Sequence, residues 1–104
     1  MTPAEREQFY DREIAPVLMD LADKCESNGL SLAAMVEWEP GETGRTATLS
    51  AHAGFGIRMA EAAMRSHGNV DALIMALMKY ATESGHSSAC LHLLGVPVVP
   101  NGGS

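Results

Sequence analysis

Early in the chain, Tyr10, Ile14, Val17, Leu18, Leu21 and Cys25 recur at spacings that gather on one side of a 3.6-residue helix. Thr2-Pro3-Ala4-Glu5 marks the start of that helix. Thr2 serves as N-cap, Pro3 takes the first helical position and Glu5 closes a capping box. Asn28-Gly29 supplies a left-handed stop. Pro16 breaks the backbone ladder inside this span, at about 3 kcal/mol. The apolar stripe nevertheless keeps its phase across the proline, so the pattern predicts one kinked helix over residues 3–27. Phe9 and Met19 project away from the stripe and are expected to be exposed.

From Leu30 the period changes to two. Leu32, Ala34, Val36 and Trp38 share one face of a strand, and Ala33, Met35, Glu37 and Glu39 the other. Glu39-Pro40-Gly41-Glu42 places Pro and Gly at the centre of a type II turn, with Gly44 completing the reversal. Arg45 to Ala51 then reads as the returning strand. Its Ala47, Leu49 and Ala51 are expected on the apolar face, with Thr46, Thr48 and Ser50 on the polar one. A lone two-stranded hairpin is marginal in water, which calls for helices on its apolar face.

After Gly54-Phe55-Gly56, a helix is expected to run to His67, with Met59, Ala60, Ala63 and Met64 inward. Gly68-Asn69 ends it and caps the next, Val70 to Ser84, whose Val70, Leu73, Ile74, Leu77, Met78 and Ala81 form a wide stripe stopped by Gly85. Met75 departs from that stripe. Ser87 to Leu94 reads as a short fourth helix, because Leu94-Gly95-Val96-Pro97 has the signature of a helix terminus. The result is an α+β class with order α-β-β-α-α-α: an antiparallel hairpin with amphipathic helices packed on one face. One domain is expected over 1–97 and a flexible tail over 98–104, since halves of a 104-residue chain would be too small to bury a stable core.

Composition narrows the function classes. The net charge of −6 disfavours attraction to nucleic acid or to anionic membranes. The acid is concentrated: residues 1–42 hold 10 acidic and 3 basic side chains. Cys25 and Cys90, far apart and without CxxC spacing, fit free thiols of a reducing compartment. With an N-terminus lacking an apolar signal core, they lead to the expectation of a cytoplasmic protein.

Candidate chemistry is sparse. Gly54, Gly56 and Arg58 lie between a strand and a helix, where backbone N–H groups could cradle an anion. The dinucleotide fingerprint would need glycine where Met59 stands, and no phosphate-loop Gly-Lys-Ser/Thr is present. His86, Cys90 and His92 carry zinc-binding side chains, but neither helical nor strand geometry aims all three at one point. No nucleophile elbow or metalloprotease helix occurs, and no cofactor is implied. The acidic first helix with Glu7 and Asp11, its outlying Phe9 and Met19, and Glu37 and Glu39 of the hairpin make a docking face for a basic protein partner. Apolar side chains outside the stripes and the short sheet point in addition to a homodimer.

Gly68-Asn69-Val70-Asp71-Ala72-Leu73-Ile74 and Ser88-Ala89-Cys90-Leu91-His92 give the chain a texture that resembles short uncharacterised proteins of proteobacterial phage and prophage genomes. That resemblance implies an accessory, host-directed binding role and transfers no site.

Overall fold

The computed structural model of the chain describes residues 1–100. It is an α+β structure with a two-stranded antiparallel sheet. Its contacts divide into two compact units, the first covering Met1–His67 and the second beginning at Gly68.

The first unit opens with α1 (Pro3–Phe9), a π turn (Tyr10–Ile14) and α2 (Ala15–Ser27), which run on with helical backbone angles as one rod. The capping box forms as the sequence predicts. The Thr2 N–H donates to Glu5 Oε1 and the Glu5 N–H to Thr2 Oγ1, each at 3.1 Å. Gly29 ends the rod at φ +71°, with the Leu30 N–H reaching back to the Cys25 carbonyl at 2.8 Å.

The helix expected over 3–27 is therefore continuous, but it carries one residue more than a straight α-helix would. The π turn immediately precedes Pro16, where the missing N–H and the ring crowd the regular ladder. One extra residue rotates everything beyond it by about 100°. Ile14, Leu18, Ala22 and Cys25 consequently join Tyr10 on the covered side. Val17 and Leu21, expected there, are 63% and 43% exposed. Phe9 and Met19 are exposed as predicted.

The hairpin consists of β1 (Leu32–Glu39) and β2 (Glu42–Thr48), joined through Pro40-Gly41 with Gly41 at φ +84°, the conformation a type II turn demands. The tight turn already pairs Glu42 with Glu39, so β2 starts and ends earlier than Arg45 to Ala51. A register shift between Glu37 and Glu39 makes Trp38 a bulge. Beyond the bulge, Val36 pairs with Gly44, Ala34 with Thr46 and Leu32 with Thr48. A one-residue slip exchanges the two faces of a strand. Thr46 and Thr48 are thus half-buried, whereas Ala47, Leu49 and Ala51, expected on the packed face, are exposed.

The two irregularities meet. The ring of Tyr10, 7% exposed, lies over Gly44 so closely that a Cβ there would overlap it. The same ring stands 5.1 Å from Trp38, centroid to centroid, tilted by 32°. Arg6, one turn earlier, donates from Nε to the Trp38 carbonyl at 2.7 Å and from a terminal nitrogen to Glu39 Oε2 at 2.8 Å. Without the bulge, Arg45 rather than Gly44 would oppose Val36.

α3 (Phe55–Arg65) packs against β1. It buries Ala62 and Met64, whereas Met59, Ala60 and Ala63, expected inward, are exposed. Arg58 and Glu61 occupy its partly covered side, so counting apolar letters misplaced that face.

In the second unit, α4 (Val70–Ser84) is capped by Asn69, which accepts from the Ala72 N–H at 2.9 Å, and stops at Gly85 with φ +79°. Ala81 is buried, and Leu73, Leu77 and Met78 are half-buried. Val70 and Ile74, expected in the same stripe, are exposed, as is Met75, which the stripe left out. α5 (Ala89–Leu93) is the short fourth helix. Gly95 at φ +91° and the bond from the Val96 N–H to the Leu91 carbonyl close it, burying Leu91 and Val96. Of the tail expected over 98–104, residues 101–104 lie outside the described residues, and the Val98 carbonyl accepts from the His86 N–H at 3.0 Å.

Gly44→Ala is expected to cost about 1–3 kcal/mol in urea denaturation. Tyr10→Ala costs about 3–5 kcal/mol. In the Tyr10→Ala background Gly44→Ala becomes close to neutral, a non-additivity that a double-mutant cycle reads directly.

Acid bears on the start of the rod. The Thr2 backbone N–H, followed by its hydroxyl, holds the exposed Glu5 carboxyl below the ordinary glutamate range. A pKa lowered by folding contributes stability above the unfolded value of about 4.3, lost as pH falls through the folded one. α1 should therefore fray from Thr2 in that acid window. Glu5→Gln should remove the pH dependence, as followed by amide exchange at Glu5.

Candidate functional site

The charged side chains of the rod separate into two flanks. Its three cations are all engaged within the chain: Arg6 with Glu39 at 2.8 Å, Arg12 with Glu13 at 3.0 Å and Lys24 with Asp20 at 3.2 Å. Among the described residues, Glu7, Asp11, Asp23 and Glu26 have no ion pair and no side-chain hydrogen bond. Helical phase, corrected for the π turn, collects these four on one flank with Met19, itself 63% exposed, in their midst. The opposite flank carries Phe9, Val17 and Leu21. Eight residues separate Phe9 from Val17, and with one absorbed by the π turn they stand two α turns apart.

The expected docking residues are thus not one surface. Glu7, Asp11 and Met19 come together, and Phe9 faces the other way. Glu39 is held by Arg6, and Glu37 accepts from the Gly41 N–H at 3.4 Å on the hairpin face that bears Met35. The sequence gave no signal for Asp23 and Glu26, because their phase relative to Glu7 depends on the π turn.

At the end of the acidic flank lies an open cavity of about 350 Å³, lined by Glu26, Gly29, Leu30 and residues 48–52 of the strand exit. Its wall is braced by serines. The Ser50 N–H donates to Ser31 Oγ at 3.0 Å, and Ser50 Oγ accepts from the His52 N–H at 3.2 Å. Glu26 and His52, 26 positions apart, form no sequence motif, which is why the pocket could not be read locally.

The glycine loop does not present an anion cradle. Gly54 is the N-cap of α3 without a side-chain cap, and Arg58 turns back to donate from Nε to the Ala53 carbonyl at 3.1 Å. Space around Gly54 and Gly56 is open, so neither glycine is required by a close neighbour.

The three metal-ligating residues are likewise separated. His86 is committed to backbone on both nitrogens. Nδ1 accepts from the Ser88 N–H at 2.9 Å, and Nε2 lies 3.1 Å from the Val96 carbonyl. This arrangement fixes the neutral ring with its proton on Nε2 and ties the start of α5 to its end. No group of three His, Cys, Asp or Glu side chains that could hold a metal occurs among the described residues. No described helix is long and apolar enough to cross a membrane. Comparisons with known protein families, with curated proteins and with solved structures find no match.

Removing the imidazole in His86→Ala breaks both bonds and is expected to cost about 1–3 kcal/mol. Hydrogen exchange at the Ser88 and Leu91 amides should accelerate, while the amides of β1 keep their protection.

Proposed function

We propose that this chain is a non-enzymatic interaction protein that docks a basic, amphipathic segment of another protein along the flank of Glu7, Asp11, Met19, Asp23 and Glu26. The observation that carries this reading is the uneven use of charge on the rod. Every cation is neutralised internally, and the four unpaired carboxylates surround one exposed methionine. Carboxylates left without partners attract cations at long range and steer an incoming chain. A flexible thioether in the centre adapts to varied apolar side chains. The host-directed accessory role implied by the phage-like texture is compatible with such docking.

A lysine-rich amphipathic peptide serves as the probe. Its affinity, followed by calorimetry, should fall as salt rises from 50 to 500 mM. The triple variant Glu7→Lys, Asp11→Lys, Glu26→Lys should lower it at least about tenfold with helical circular dichroism unchanged. Equal affinity for the variant removes the acidic flank from consideration.

A further inference from the structure

The opposite flank of the rod has different chemistry. Phe9, Val17 and Leu21 are 40%, 63% and 43% exposed and lie along one line. The charges beside them, Arg12–Glu13 and Asp20–Lys24, are neutral as pairs. A basic partner finds no net attraction there, and the unpaired acid is turned to the other side.

We infer that this flank is where a second copy of the chain binds, rod against antiparallel rod, about a two-fold axis passing near Val17. An isologous contact must be complementary to itself. The flank meets that condition in both shape and charge. With Val17 at the axis, Arg12 and Glu13, about one turn before it, face Asp20 and Lys24 of the partner subunit, which follow it by one to two turns. Arg12 then meets an aspartate and Glu13 a lysine, and two-fold symmetry forms each contact twice. Leu21 and Phe9 extend the apolar seam on either side. The π turn creates this seam, because a straight helix would rotate Val17 and Leu21 toward the hairpin. The inference is independent of what docks on the acidic flank.

Light scattering of the intact chain across micromolar to millimolar concentration should show a mass rising from one chain to two. Val17→Asp, at an exposed position, should hold the mass at one chain with helical content retained. In a chain carrying Cys25→Ser and Cys90→Ser, Val17→Cys should form an intermolecular disulfide on mild oxidation, and Met19→Cys should not.

A charge exchange tests the register. Arg12→Glu and Asp20→Lys chains should each self-associate roughly threefold or more weakly, and mixing them should restore pairing. One-chain mass at every concentration overturns the inference. So does a dimer that survives Val17→Asp without cross-linking at position 17, or binding of the basic peptide that is lost in Val17→Asp and kept in the acidic-flank variant.

Discussion

The Tyr10 ring resting over Gly44 fixes the first unit. It needs a position without a side chain on β2 and a neighbouring wall, and the Trp38 bulge provides both. By shifting the register one residue, the bulge brings Gly44 opposite Val36 and leaves the indole beside the phenol. Arg6 ties the same corner with a bond to the Trp38 carbonyl. Little else in this unit is deeply buried, since only Ala62 and Met64 join Tyr10 below the surface. A soft interior of small and flexible side chains defines position poorly, so this one close-packed joint takes on that task.

How much of this was legible in the sequence follows from what kind of signal each feature leaves. The capping box, the Pro-Gly turn, the Asn28-Gly29 stop and the Gly95 terminus are set by residues next to one another, and all four formed where the letters placed them. The alternation along β1 also held. The errors share a cause: the π turn before Pro16 and the bulge at Trp38 each insert one residue into a periodic element, and everything after the insertion changes face. Val17, Leu21, Ala47 and Leu49 were misplaced for that reason. A periodicity count has no term for a skipped beat. The first insertion has a local hint in Pro16, while the second depends on an aromatic ring supplied from 28 residues earlier.

The candidate surfaces inherit the same limit. Glu7 and Asp11 precede the π turn and were singled out correctly as neighbours. Asp23 and Glu26 come after it, and their membership in the same flank exists only in three dimensions. The hairpin carboxylates were the converse case, for Glu39 is consumed by a structural bond to Arg6. Net charge along a sequence overstates what is free to meet a partner, and counting the internal pairs corrects it. Once that is done, one side of a single rod offers uncompensated acid and the other a neutral apolar seam.

The chain contains one tryptophan, and it stands at the joint between rod and hairpin with a tyrosine ring 5.1 Å away. Tyrosine excitation can pass to an indole at that range. The emission of the unlabelled protein therefore carries an optical record of whether rod and hairpin are seated together, and partial loosening of that corner becomes visible without any attached dye.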